Sequence, residues 1–491
     1  MKKTMIMNII TLFMVSLLLM STTTALSVKK NQINNLVEDD LDPLVNLEVT
    51  VEINKIRSFE KIDQQIPSVE IIDLISDPDF YVKVFINNQE FRSEVWQNTK
   101  YLYGIGWSAT LDVPDDEEFV DIKIQLWDRN FPSDRLCDIS KNGKDVELKY
   151  SLKTGHWTGD DERTNEDVSG YGRLNGCDDG SIYKLSRDCE MWFNIYQNDY
   201  DGDGIPYWTE VNEFGTDPVL NNIGEDFDND EIPIEWEWKW GYDPNSWDNH
   251  SNIDPEIDGL NNVEEYITAK WGSDPFIRDL FIELDLMDES PRGEKSELPE
   301  GAKELLYTVF DRQNVVYHLD DGKWDESGSE IIPFDEATND DKDGELDEIY
   351  WKYFLHDDPS NWRKGVFHYS VIIYNCTGPG GHAFRVNSFQ MSSKYIEKKA
   401  SNPILNRDIV FASAHMHETG HTLGFNPIPG HTRLALYPWQ PLWWLFRPYK
   451  SCMNYGYMYV MVDYSDGSRP IIDLDDWSRM DLTFFQRSGW H

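Results

Sequence analysis

His417 and His421 stand four residues apart, so on a helix their imidazoles share one face, a turn apart. Two neutral imidazoles held that way can bind one zinc ion, and Glu418 lies where its carboxylate reaches a water in the open coordination position. Zinc acidifies such a water and polarises a carbonyl, while the carboxylate accepts the proton and returns one to a leaving amine. The bland alternative is a surface helix that happens to carry histidines. Against it, three of the chain's 11 histidines, His415, His417 and His421, crowd into this one short stretch. His415 points off the shared face and is expected on the helix surface.

Such a helix needs a scaffold, and residues 277–491 supply an alternating pattern. Asp279–Asp285 reads as a buried strand, Glu300–Gln313 as a helix, and Val315–His318 and Gly365–Ile373 as strands. A second helix begins near Asp408. The region is expected to be an α/β or α+β domain, and α+β if the resemblance below holds. His417, Glu418, His421 and Gly424, followed by Ser451-Cys-Met453-Asn-Tyr455, resemble the HExxHxxG helix and Met-turn of the metzincin clan of zinc endopeptidases. That resemblance implies that Glu418 is the general base, that Met453 lies beneath the metal, and that Tyr455 assists as a second catalytic group. It also implies that "FHYSVIIY" is the edge strand that pairs with substrate. Two departures stand out. Thr419 replaces an aliphatic residue, and the clan's third metal ligand falls on Pro427, which cannot bind zinc. His431, after the turn Asn426-Pro-Ile-Pro-Gly430, is the first candidate for that ligand. Asn426 and a more distant Asp are the alternatives, and failing all of them the site is degenerate. His382, in Gly380-Gly-His, is read as a loop residue near the cleft.

A repeat precedes this region. Asp199-x-Asp201-x-Asp203-Gly204 is followed by Glu210, Asp226-x-Asp228-x-Asp230 by Glu237, and Asp254-x-Glu256-x-Asp258-Gly259 by Glu265, each Glu at the twelfth position. Each unit closes on a Gly-x-Asp-Pro: Gly215–Pro218, Gly241–Pro244 and Gly272–Pro275. Calcium takes six to eight oxygens, alternate residues of a tight loop aim carboxylates inward, and the distant Glu adds two oxygens. In the second loop Glu231 occupies the place of the turn glycine. The units resemble the thrombospondin type 3 and dockerin-like calcium repeats, which implies an extended segment stiffened by metal. A fourth run, Asn339–Gly344, has Tyr350 where the Glu should be and is weak.

Residues 47–150 alternate with period two in Leu47–Ile53, Tyr81–Ile86 and Val120–Trp127, as in an antiparallel β-sandwich. Acidic loops lie around Asp77 and Asp79 and around Asp128, Asn130, Asp134 and Asp138; with "DPDFYVKV" and "LWD" they resemble a C2 domain, which implies calcium between the loops. Ordinary solvated aspartates are the alternative.

The opening segment, with Lys2 and Lys3, an apolar run from Met5 to Met20, and Thr23-Thr24-Ala25, reads as a secretory signal, so the protein is expected outside the cell. The expected division is 1–26 signal, 27–195 sandwich, 196–276 calcium repeats and 277–491 zinc peptidase domain. A net charge of −45 repels phosphate backbones and excludes nucleic acid as a natural partner. Of five cysteines, Cys177 and Cys189 are the nearest pair for a disulfide. The sum is a secreted zinc- and calcium-dependent endopeptidase acting on proteins or peptides, with calcium-dependent surface or membrane contact through the sandwich. The competing expectation is a calcium-stabilised adhesion protein with an inactive peptidase-like domain.

Overall fold

In the computed structural model, residues 40–59, 77–130, 132–161, 172–177, 188–322, 330–340, 344–469 and 471–486 are described. The signal segment lies outside them, as do Asp341 and Asp343.

Alternation along the N-terminal strands builds two antiparallel sheets. The strands are β1 (Glu48–Ser58), β2 (Phe80–Ile86), β3 (Gln89–Arg92), β4 (Tyr101–Asp112) and β5 (Phe119–Asp128). They continue as β6 (Arg135–Leu136), β7 (Val146–Ser151), β8 (Trp157–Gly159), β9 (Arg173–Asn175) and β10 (Cys189–Gln197). One sheet runs β4-β1-β10-β9 and the other β3-β2-β5-β7-β8, with β6 on β5. Val49, Val51 and Ile53 of the first face Val82, Val84, Ile122 and Ile124 of the second in one core. An irregularity in β1 between Ile53 and Lys55 shifts the register, and beyond it Arg57 is buried while Ile56 stays in the core.

The C-terminal sheet is parallel except at one edge. Its strands are β11 (Arg278–Met287), β12 (Val315–Asp320), β13 (Ile331–Ile332), β14 (Phe367–Ile373), β15 (Gly381–Arg385) and β16 (Ser388–Ser392). The order is β12-β11-β14-β16-β15, with β15 antiparallel to β16. Helices α1 (Glu300–Arg312), α2 (Ser393–Ala400) and α3 (Arg407–Thr422) cover one face. Leu280, Ile282 and Leu284 meet Leu306, Phe310, Phe411 and Ala414 there. The alternate residues Phe281, Tyr369 and Val371 pack beneath Leu346, Tyr350 and Phe354 on the other face. Both faces are covered, so β11 and β14 are buried at nearly every position, with the polar Asp279, Glu283, Asp285, His368 and Ser370 buried among the apolar residues. The edge-strand expectation is overturned: "FHYSVII" is central β14, and among the described residues β12 and β15 end the sheet. His382 accordingly lies on a strand, not in a loop.

The repeat segment is not a free extended spacer, contrary to expectation. The Thr209 hydroxyl donates to Lys153 O at 2.7 Å and the Trp238 indole to Thr154 O at 2.8 Å, docking the first two units on the sandwich. The third unit joins β11 through Asp258 and Asp279. The sandwich also meets α1 directly. Arg57 pairs with Asp311, Arg173 donates to Asn314 at 2.6 Å, and the Asn175 amide donates to Asp311 O at 2.8 Å.

The cysteine pairing is also corrected. No disulfide joins the five cysteines, and the Cys189 thiol hydrogen-bonds with that of Cys137.

Candidate functional site

α3 starts where the Asn406 side chain accepts the N–H groups of Asp408 and Ile409, and it stops where Gly424 adopts φ 76°. Between these ends its whole middle is buried, and its turns sort its side chains. His415 is fully buried against the sheet: it hydrogen-bonds Ser370 Oγ at 3.1 Å and Tyr317 OH at 3.3 Å and packs edge-on to Phe389. The expected helix-surface position is therefore wrong. The side facing away from His417 and His421 is the side facing the core. Thr419 belongs to the same packing; its hydroxyl donates to His415 O at 2.9 Å.

On the other side, His417, His421 and His431 converge, with one ring nitrogen of each within 4.8 Å of the others. His417 Nδ1 lies 2.8 Å from Cys452 O and donates its proton there, leaving Nε2 as a lone pair facing the cluster. The Nε2 atoms of His417 and His431 are 3.2 Å apart. Two nitrogens at the usual zinc distance and a tetrahedral angle would be separated by roughly 3.3 Å, so this trio fits a three-histidine zinc site. Burial depresses all three imidazoles, His417 furthest and His421 to about 4, which keeps them neutral as ligands must be. Asp463 and Asp466 are engaged elsewhere. Asp463 accepts the Trp477 indole N–H at 3.1 Å, and Asp466 pairs with Arg469.

The turn that delivers His431 is locked from below. Gly430 has φ 76°, and a side chain there would strike Asn454. The Asn454 amide in turn donates to Phe446 O and Tyr449 O, and Tyr455 N donates to Gly430 O at 3.3 Å. The Tyr455 ring consequently lies 4.2 Å from that of His431 and 5.6 Å from that of His417. Met453 is buried, its sulfur against Gly420, where any side chain would meet it. Glu418 is buried beside Gly381 at the start of β15, and burial pushes its carboxyl up to about 8.

The three acidic loops repeat one hydrogen-bond scheme. Asp199, Asp226 and Asp254 accept the N–H of Gly204, Glu231 and Gly259 at 3.0, 3.1 and 3.1 Å. Asp203, Asp230 and Asp258 accept the N–H of Ile205, Ile232 and Leu260 through one oxygen. Their other oxygens take the N–H of Asn222, Asp248 and Asp279, tying each loop to the segment after it. Glu231 holds φ 85°, where its counterparts Gly204 and Gly259 hold 87° and 98°, so the backbone keeps its turn without the glycine.

The oxygens this scheme leaves over are the informative ones. Buried oxygens of Asp201, Asp228 and Glu256 and of the twelfth-position Glu210, Glu237 and Glu265 have no hydrogen-bond partner. Burial, with neighbouring carboxylates adding to it, raises Asp201 to about 6, Glu210 to about 8, Glu237 to about 7 and Glu256 to about 11. Orphaned, mutually repelling oxygens at the positions a calcium loop uses fit a hard divalent cation.

Sequence reasoning missed His250, whose Nε2 lies 3.0 Å from Asp230 Oδ2 and 3.7 Å from Glu237 Oε1. It arrives from outside the loop, so no motif signals it. Asp340 of the fourth acidic run gathers instead with Cys376 and His382. At the sandwich end, Asp128 accepts the N–H of Asp79 at 3.1 Å, and Asp134 accepts the N–H of Asn130 at 3.2 Å and the Tyr81 hydroxyl at 2.8 Å. The backbone of Asp138 forms a parallel bridge with Asp188.

No family model matches the chain, and no curated protein matches it. Solved structures that resemble it include C2 domains. One titled simply as a C2 domain is 13% identical, spanning 30% of this chain and 97% of its own, with a TM-score of 0.18. A C2 domain of plant Extended Synaptotagmin 1 is 12% identical over 30% of this chain and 95% of its own, at 0.17. A C2 domain protein from Ramazzottius varieornatus is 10% identical over 31% and 87%, at 0.19. Likeness at that level carries nothing about this chain's ligands.

Proposed function

We propose that the chain is a secreted, zinc-dependent endopeptidase that hydrolyses peptide bonds of extracellular proteins or peptides, with calcium held in its three acidic loops. The observation that carries this reading is the convergence of His417, His421 and His431, with two Nε2 atoms 3.2 Å apart and the His417 proton committed to Cys452 O. Zinc bound there supplies a Lewis acid that polarises a carbonyl and acidifies water. Glu418 accepts the proton of the attacking water and passes it to the leaving amine. The Tyr455 hydroxyl donates to the oxyanion that develops on the carbonyl oxygen. β15 ends the sheet among the described residues, so its outer edge can receive an extended substrate as one more strand, leading it past Gly381 to Glu418. The arrangement is metzincin-like in its helix, its Met453 turn and its edge strand.

Thr419 gives no support to the inactive adhesion reading, because it sits in the core on the sheet side of α3. Calcium-dependent contact with a surface through the sandwich remains part of the proposal, supported by the gathering of Asp79, Asp128 and Asp134 at one end. The deciding experiment measures bound zinc and cleavage of an unstructured protein by wild type and Glu418→Gln. Zinc in both with cleavage only by the wild type supports the proposal. Wild type without zinc, or with zinc and no cleavage, sinks it.

A further inference from the structure

Residues 419–462 contain no Asp or Glu, in a chain where 89 of 491 residues are acidic, while Arg433, Arg447 and Lys450 lie within that stretch. The same stretch is aromatic, and its rings face outward. Trp439 is 77% exposed, Leu434 63% and Trp444 57%, with Tyr437 and Leu445 also exposed. They are held in place: Tyr437 stacks on Trp439 with centroids 4.5 Å apart, and the Trp444 indole donates to Pro438 O at 2.7 Å. Arg447 extends over the ring of Trp444 at 5.4 Å, so charge and ring present themselves together. A protein with this much acid elsewhere has set aside one cationic, apolar projection.

We propose that the segment 433–450 is a lipid-contacting platform that inserts its aromatic side chains into the interface of a bilayer carrying anionic headgroups. Its form argues for lipid over a peptide ligand. Pockets for small or extended ligands are concave and bury their lining, whereas these side chains project from the surface. Tryptophan and tyrosine are the side chains that settle at the headgroup level, and arginine beside them meets the negative charge there. Side chains that project from the surface of a folded domain make an interfacial contact, at the depth of the headgroups. The platform adjoins the histidine trio, since Trp443 packs on Gly456, next to Tyr455. Docking would therefore hold the trio close to the membrane surface. Lipid contact of this kind does not depend on the trio's activity.

The test is co-sedimentation of the calcium-loaded full chain with vesicles of phosphatidylcholine alone and of phosphatidylcholine with phosphatidylglycerol. Binding to the mixed vesicles is expected to be stronger. The double variant Trp439→Ser/Trp444→Ser should bind the mixed vesicles at least about tenfold more weakly. Arg433→Ser/Arg447→Ser should lose roughly 30-fold on mixed vesicles and little on the neutral ones. An unchanged melting temperature in both variants keeps the result from reflecting misfolding. Absence of wild-type binding to either vesicle overturns the proposal. So does equal binding to both vesicles, or tryptophan-variant binding as tight as wild type, which would place any contact on the sandwich.

Discussion

Asp258, the third carboxylate of the third loop, accepts the backbone N–H of Asp279 at 2.6 Å, and Asp279 is the second residue of β11. The last acidic loop and the first strand of the C-terminal sheet are thus one hydrogen-bonded unit. Asp279 in turn bonds His318 of the neighbouring strand at 2.6 Å.

Removal of calcium should therefore unsettle the C-terminal sheet as well as the loops. With EGTA, limited proteolysis is expected to cut first within residues 196–275, and the melting transition of the C-terminal region should fall in the same titration. Loops that resist cleavage as well as before would refute the calcium reading. An unmoved C-terminal transition would refute the coupling through Asp258.

The metal-free protein should respond to pH opposite to the usual carboxylate behaviour. Burial raises Glu210 to about 8, and Glu237 and Asp258 each to about 7, above their unfolded values. A raised carboxyl binds its proton more tightly in the folded state, so its contribution is complete at acid pH and is lost as pH climbs towards 8. Melting temperatures in EGTA should fall between about pH 4.5 and 8. With calcium, loss of those protons should favour binding and flatten or reverse the slope. A metal-free protein that gains stability over that interval would contradict the loop electrostatics.

At the histidine trio, His431→Ala and Glu418→Gln separate ligation from proton transfer. The first should lose zinc to a mild chelator by more than the roughly 10–100-fold typical of an outer-shell change. The second should keep its zinc while hydrolysis falls at least about 100-fold. Retention of metal and activity by His431→Ala would move the third ligand elsewhere.

Gly381→Ala tests how closely β15 approaches the base. A methyl group there would lie 2.5 Å from Glu418 Oε1, so the carboxylate must move. Hydrolysis should drop with zinc retained; wild-type turnover would show that Glu418 needs no fixed seat.

Glu231→Gly should stabilise the calcium-loaded protein by about 1 kcal/mol, because a side chain at φ 85° carries a steric cost that glycine lacks. Chemical denaturation would measure it, and a loss of stability would mean that the Glu231 side chain has a role in the loop.

Much of this was legible in the residues, for identifiable reasons. The i, i+4 spacing of His417 and His421 survives any packing, because helix geometry alone sets it. The twelve-residue period of the loops is likewise local. His431 could only be nominated, since its place depends on Gly430 seating over Asn454, a contact between distant segments. Composition marked Gly365–Ile373 as a strand but held no information on which strands flank it, hence the misplaced edge. His415 was misjudged by equating "off the metal face" with "towards solvent", when the sheet lay there. His250 and the Arg57–Asp311 pair join segments far apart in the chain, and neither carries a local pattern.

That last pair constrains how such a protein can be taken apart. Asp311 of α1 is buried, and its charge partner Arg57 belongs to β1. A truncation that begins after the sandwich removes both guanidinium partners of Asp311, Arg57 and Arg173, and uncovers the face of α1 that carries it. The C-terminal half is thus no interchangeable cassette: exchanging the sandwich for another module would also require rewriting α1.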